Sequence, residues 1–282
     1  ELMTIRMIAE EARNASIPLM AMTAAEKDAV LEGIAAALDR SRSDIVEENR
    51  KDLAAAEQAA LSAPLLKRLK FDGKKLDGVI EGIRSLIALP DPVGRQLSAT
   101  QLDEGLDLYK VSCPIGVIGV IFESRPDALV QISSLCLKSG NSVLLKGGSE
   151  AARTNRILAE VIHEAAAEAG APRGWLQLLE TRADVNEMLK LDDLIDLVIP
   201  RGSNDFVRYI MNHSNIPVLG HADGICHVYV DAQADVSMAL EVVLDSKCQY
   251  VAVCNAAETL LVHGAVAAEF LSRLQPVMLD VT

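Results

Sequence analysis

Cys254 sits between a helix-like stretch and an aliphatic run, in the segment from Asp245 to His263. Asn255 and two alanines follow it, leaving room for a substrate, and Thr259 to Val262 then reads as a buried strand. A thiolate at such a junction can take an acyl group, although a free cysteine is also commonly a small buried hydrophobe. The chain has five cysteines. None pairs with another cysteine or a histidine at zinc-site spacing, so no metal is expected and reduced thiols are the simplest reading.

The other residues with chemistry fall where strands are expected to stop. Cys113 to Phe122 is a continuous β-branched run, suited to a strand covered on both faces. It ends in Glu123-Ser124-Arg125, ahead of a helix from Ala128 to about Lys138. Ser142 to Leu145 is a second buried strand, ending in Lys146-Gly147-Gly148-Ser149, before a helix to about Gly170. Trp175 to Leu179 and Ile195 to Ile199 are further strands around a helix from Asp184 to Lys190. The second of these ends in Arg201-Gly202-Ser203-Asn204, with a helix from Asp205 to about Met211. Two more strands, Ile216 to His221 and His227 to Asp231, flank the elbow 222–226, and Ala234 to Ser246 is helical. This alternation predicts a parallel sheet with crossover helices. Ligands collect at the carboxyl ends of such strands. Small and cationic residues beside helix N-termini there suit a phosphate-bearing ligand. Neither GxGxxG nor GxxxxGK[ST] is present, and glycines that end strands and serines that cap helices account for such loops equally well.

Ahead of the sheet, residues 4–89 read as packed amphipathic helices, with Thr23-Ala-Ala-Glu26 as a capping box. Residues 94–112 read as a hairpin about Glu104-Gly105. A net charge of −13 argues against nucleic acid as a partner, which needs a basic face. No apolar run is long enough for a membrane span. The start, Glu1-Leu-Met-Thr-Ile-Arg, has neither the basic region nor the apolar core of a signal peptide and reads as a trimmed terminus, so a cytoplasmic location is expected.

Five stretches together carry a resemblance: Pro114 to Asp127, Leu144 to Gly148, Val198 to Asn204, Gly220 to Asp231 and Cys254-Asn-Ala. In that order they resemble the gamma-glutamyl phosphate reductases of the aldehyde dehydrogenase superfamily, including the reductase half of pyrroline-carboxylate synthase. The resemblance implies an α/β, aldehyde-dehydrogenase-like fold. A Rossmann-type cofactor domain with N-terminal helices would occupy residues 1–225, and the start of an α/β catalytic domain residues 226–282. It also implies NADPH-dependent reduction of L-glutamate 5-phosphate to L-glutamate 5-semialdehyde in proline biosynthesis, a homo-oligomer of the full-length protein, and channelling from a glutamate 5-kinase.

By the same resemblance Cys254 is the nucleophile, and Arg125 faces the oxyanion or the leaving phosphate. The competing role for Arg125 is an ion pair with Glu123 or Asp127. Ser124, Asn255 and His221 would touch substrate. His221 stands where hydrolytic relatives carry a water-activating glutamate, whose absence favours reduction over hydrolysis; Asp223 is left as an alternative base. Lys146, Gly147, Ser149, Gly202, Ser203 and Glu123 would hold the cofactor. Ser149 replaces the glutamate of NAD-preferring relatives, and so favours NADP. Of the remaining thiols, Cys113 and Cys136 are expected in the core. Val251 departs from the family's proline, and only the beginning of the catalytic domain follows Cys254. The alternatives are a nucleotide-binding module without turnover and a reductase of another acyl phosphate.

Overall fold

The computed structural model describes residues 4–220, 224–251 and 253–279. The chain forms two compact units, residues 1–221 and 222–282, so the elbow 222–226 falls with the second unit.

The first unit opens with five helices: α1 (Ile5–Ala21), α2 (Ala24–Arg40), α3 (Arg42–Gln58), α4 (Ala63–Leu69) and α5 (Gly73–Ile87). The capping box forms: the Glu26 N–H donates to Thr23 Oγ1 (3.3 Å), and the Thr23 N–H donates to Glu26 Oε2 (2.7 Å). Two donors that the helix start would otherwise leave open are satisfied reciprocally. The stripes expected from spacing are buried, with Val30, Leu31, Ile34 and Leu38 on α2 and Leu76, Val79 and Ile83 on α5.

After Pro92 come β1 (Gln96–Asp103) and β2 (Leu106–Val111), antiparallel and joined through Gly105 at φ +75°. Both strands of this ribbon are exposed throughout, including Leu97, Leu102, Leu108 and Tyr109.

The sheet follows as β3 (Val117–Ile121), α6 (Pro126–Lys138), β4 (Ser142–Lys146), a 3₁₀ turn (Ser149–Ala151) and α7 (Ala152–Glu168). Then come β5 (Leu176–Leu179), α8 (Arg182–Met188), β6 (Leu197–Pro200) and α9 (Asn204–Asn212). Its strands are all parallel, in the order β5-β4-β3-β6. The period of two sorts β3 cleanly. Ile118 and Val120 join the core under α2, α5, α6 and α7, while Val117 and Ile121 join the opposite core with residues of α1, α8 and α9. Gly119 faces Met188, whose Sδ would lie 3.0 Å from a Cβ there. The glycine therefore sets how closely α8 approaches the sheet.

Polar residues lock the helices to one another. Lys27 is 1% exposed and pairs with Asp91 at 2.6 Å; Lys138, 3% exposed, pairs with Asp28 at 2.6 Å. Buried Asn49 donates to the Leu69 carbonyl (3.0 Å) and Thr154 Oγ1 (3.2 Å), and accepts from the Phe71 N–H (2.7 Å). One amide thus joins α3, the α4–α5 connection and α7.

The second unit contains β7 (His227–Val230), α10 (Val236–Cys248), β8 (Thr259–Val262) and α11 (Gly264–Leu279), with β7 and β8 parallel. Its small core gathers Val230, Leu240, Val243, Phe270 and Leu274.

Two expectations need correction, and one helix had no counterpart in the sequence reading. The strand over 216–221 reduces, within its described part, to one bridge from Val218 to Val198. Pro217 has no N–H to donate, and two hydrogen bonds, Val198 N–H to Pro217 O and Leu219 N–H to Val198 O, make up the contact. Cys113 is exposed rather than in the core. The strand starts only at Val117, because Pro114 and Gly116, at φ +125°, keep the preceding residues out of the sheet. Helix α11 was not foreseen from sequence, its start being glycine and its last turns containing Pro276.

Candidate active site

The sheet order puts β3 between β4 and β6, where successive connections leave in opposite directions. The crevice outside the strand ends lies at such a reversal. Ile121 pairs with Lys146 on one side and Pro200 on the other. The loops 122–125, 146–149 and 201–203 therefore start level with one another, and the structure brings together the predicted residues Glu123, Ser124, Arg125, Lys146, Gly147, Ser149, Gly202 and Ser203.

Ser124 adopts φ +43°, a left-handed conformation unusual for a residue other than glycine. It is held there by Glu150, whose Oε1 accepts from both the Ser124 N–H (2.7 Å) and its hydroxyl (2.5 Å). Glu150 was missed in the sequence because the pair is a tertiary contact with no local spacing to announce it. It ties the loop after β3 to the loop after β4. Ser124 is buried at 6% exposure, and its hydroxyl is given to Glu150 rather than presented to solvent. Arg125 is exposed, with Nη2 3.7 Å from Asp127 Oδ2. That ion pair exists, but it is too long to be a hydrogen bond and leaves the guanidinium available.

The cofactor side shows close backbone approaches. A Cβ at Gly202 would come within 3.0 Å of Phe206 and 3.3 Å of Glu123 Oε1, and one at Gly147 would overlap the Asn155 amide. Asn155 Oδ1 is buried without a partner. Ser203 Oγ accepts from the Phe206 N–H (3.3 Å) and caps α9. Lys146 Nζ donates to the Gly147 carbonyl (2.6 Å). Burial pulls this ammonium below the usual lysine range; the Glu150 carboxylate opposes the shift and the Arg182 guanidinium adds to it. Ser149 is exposed at the start of the 3₁₀ turn. Bare glycine backbone at a helix start and a nearby lysine fit a phosphate-bearing dinucleotide. Among the described residues, no cluster of His, Cys, Asp and Glu could hold a metal ion, and no helix is long and apolar enough to cross a membrane. Two open concavities lie elsewhere, one of about 370 Å³ along α7 and β5 and one of about 620 Å³ between α1 and the start of β5; they hold none of the predicted residues.

In the second unit, Cys254 and Asn255 are exposed on the loop between α10 and β8. Cys226 Sγ lies 3.5 Å from the Cys254 carbonyl, the Glu258 N–H donates to the Cys226 carbonyl (2.9 Å), and the Ala257 N–H to Ser246 O (2.8 Å). A Cβ at Gly224 would overlap the Cys254 carbonyl. The elbow at 224–226 thus supports the thiol loop directly. His221, expected at the substrate, and Asp223 lie outside the described residues.

Exposure separates the thiols chemically. Burial pushes the Cys136 thiol up to about 12, so it is neutral and shielded, whereas Cys113 and Cys254 are exposed. Brief alkylation of the folded chain at neutral pH is expected to modify Cys113 and Cys254 and spare Cys136 until denaturant is added. Peptide mass mapping checks this, and early labelling of Cys136 would contradict the burial.

Residues 3–282 match the model of the aldehyde dehydrogenase family. The gamma-glutamyl phosphate reductase of Ruminiclostridium cellulolyticum is 62% identical over 273 residues, covering 97% of this chain and 63% of that protein. Its counterpart in Methanococcoides burtonii is 53% identical, covering 94% of this chain and 60% of that protein. The chain thus spans less than two thirds of the length of these relatives. Among solved structures, the gamma-glutamyl phosphate reductase of Thermotoga maritima superposes with a TM-score of 0.94 at 36% identity, over 99% of this chain and 68% of that one. An acetylating aldehyde dehydrogenase from Geobacillus thermoglucosidasius shares the fold, with a TM-score of 0.64 at 21% identity over 97% of this chain and 58% of that one.

Proposed function

This chain belongs to the aldehyde dehydrogenase family and, within it, to the gamma-glutamyl phosphate reductases, and we propose that it carries the NADPH-dependent reduction of L-glutamate 5-phosphate to L-glutamate 5-semialdehyde. The observation that carries the proposal is the 62% identity to a gamma-glutamyl phosphate reductase along a stretch that includes the exposed thiol Cys254.

The chemistry follows from the residues. The Cys254 thiolate attacks the acyl carbon, the C–O bond to the phosphoryl group breaks, and phosphate departs with the electron pair, leaving a thioester. Phosphate is a good leaving group, so this step needs no strong acid. Arg125 balances charge on the acyl oxygen or on the departing phosphate. NADPH, held by the loops that carry Lys146, Gly147, Ser149, Gly202 and Ser203, would supply the hydride for the thioester, and Cys254 would leave as the thiolate with release of the aldehyde. A histidine, His221, stands at the position of the hydrolytic relatives' base, which favours survival of the thioester until reduction. The same reading carries a place in proline biosynthesis, a cytoplasmic location, supply of substrate by a glutamate 5-kinase, and a homo-oligomer to which the exposed ribbon β1–β2 contributes.

The test is the reverse reaction: NADP, phosphate and the cyclic form of glutamate semialdehyde should yield NADPH with this chain. A chain that binds NADPH but never turns over, with either glutamyl or aspartyl substrates, would defeat the reading. Lys146 tests the coenzyme assignment separately. Lys146→Ala is expected to weaken NADPH binding about 10- to 100-fold, the scale of one lost charged hydrogen bond, and NADH binding much less. Fluorescence titration measures both, and an equal loss for the two coenzymes would remove Lys146 from recognition of the 2′-phosphate.

A further inference from the structure

Among the described residues, Ala60 and Ser124 alone combine a side chain with a positive φ, and Ser124 is the one at the strand ends. A side chain disfavours that conformation, so contacts from outside the loop must hold it. The loop after β3 makes such contacts on both sides. A Cβ at Gly202, in the loop after β6, would lie 3.3 Å from Glu123 Oε1, whereas Ser124 meets Glu150, beyond β4. Arg125 follows directly, as the residue that precedes α6.

One oxygen of Glu150 fixes backbone and side chain of Ser124 together, accepting from the N–H at 2.7 Å and from the hydroxyl at 2.5 Å. Hydrogen bonds to a carboxylate are shorter and stronger than neutral ones. An acid at this place in the sequence is ordinarily a favourable charge at a helix start, a role that asks for no partner in another loop. Glu150 instead folds back over its own loop. A Cβ at Gly148 would overlap the Glu150 carboxylate. Gly148 has φ −63° and ψ 147°, open to any residue, so the carboxylate and not the backbone requires glycine here.

We propose that Glu150 is a positioning residue for the reaction: given room by Gly148, its carboxylate holds Ser124 left-handed and so sets the direction in which the chain delivers Arg125. The use of that loop in catalysis rests on the reaction proposed above; the clamp stands on its own contacts. Glu150 acts through Ser124 and not on the reacting atoms.

Two readouts test it, turnover in the reverse reaction and hydrogen exchange of the Ser124 amide followed by mass spectrometry. Glu150→Ala should lower kcat/KM for phosphate about tenfold or more at saturating NADP, the scale of a lost hydrogen bond to a charged group. It should also speed the exchange about tenfold or more. Glu150→Gln keeps an oxygen that can accept from both donors and should stay within about threefold of wild type in both readouts. Gly148→Ala should reproduce Glu150→Ala by displacing the carboxylate, and should add nothing in the Glu150→Ala background. Ser124→Gly in that background should recover about threefold of the lost turnover, because glycine takes a positive φ unaided. A purely structural loss would not be recovered in this way. Thermal unfolding accompanies each variant; should Glu150→Ala fail to fold, Gly148→Ala and Glu150→Gln carry the test. Turnover of Glu150→Ala within about twofold of wild type overturns the positioning role, and so does a loss that Glu150→Gln shares in full, which would assign the effect to charge. A wild-type chain that never turns over defeats the reaction instead. The exchange rates then decide the clamp alone: faster exchange in Glu150→Ala and Gly148→Ala keeps it, and unchanged exchange overturns it.

Discussion

Cys254→Ala is expected to lower NADPH formation from glutamate semialdehyde and phosphate by about four orders of magnitude or more, the scale on which loss of a covalent nucleophile is felt. The side chain removed is exposed, so no cavity is created and stability should stay within about 0.5 kcal/mol of wild type. NADPH binding should also survive, since the loops that fit the coenzyme belong to the other unit. That combination of lost turnover, retained coenzyme and unchanged melting temperature separates a chemical role from a structural one. Rates of the variant near those of the wild type would show that Cys254 is not the acyl acceptor. The exposed Cys113 would be the next thiol to replace.

The second large effect is on stability. Asp91→Ala should destabilise the fold by about 3–5 kcal/mol, because it leaves the Lys27 ammonium buried without its counter-charge. Adding Lys27→Met should recover most of the loss, a non-additivity that a double-mutant cycle measures. The pH dependence has a defined sign. Burial alone would raise the Asp91 carboxyl, but the Lys27 ammonium and the Val93 N–H outweigh it and hold the group below the usual carboxylate range. A carboxyl depressed on folding adds stability above its unfolded value of about 4, and that stability is lost as pH falls through the folded value. The gap between wild type and Asp91→Ala should therefore be full at neutral pH and close below about pH 4. Denaturant unfolding across that range measures it, and a gap that stays constant down to pH 3 would show that Asp91 is not the stabilising partner.

The strands of the four-stranded sheet and their order of appearance were legible because each is a short aliphatic run stopped by glycine, proline or a polar turn, and because parallel strands covered on both faces need no polar alternation. The capping box at Thr23 was legible for the same local reason. What local pattern does not carry is which residues meet across the fold. Glu150 reads as a helix-start acid, and only the tertiary structure shows it clamped on Ser124, in the neighbouring loop. The segment after Asn215 failed as a strand because one proline removes a donor. Cys113 was misplaced because a glycine with positive φ lets the chain turn just before the sheet begins. The thiol loop is proposed from its own residues together with the family resemblance. The elbow that supports it shows itself only in the contacts of Gly224 and Cys226 with the Cys254 carbonyl.

The Asn49 amide has a bearing on where this chain can be divided. The five leading helices end at the Pro90-Asp-Pro92 punctuation. Yet Asn49 spans 105 positions to reach Thr154, Asp52 accepts from the same threonine, and Lys138 reaches back to Asp28. A cut at residue 90 would expose the apolar stripes of α2 and α5 and strand these polar groups on both pieces. The helical segment is therefore part of one folding unit, and it would be inherited, exchanged or expressed only together with the sheet it covers.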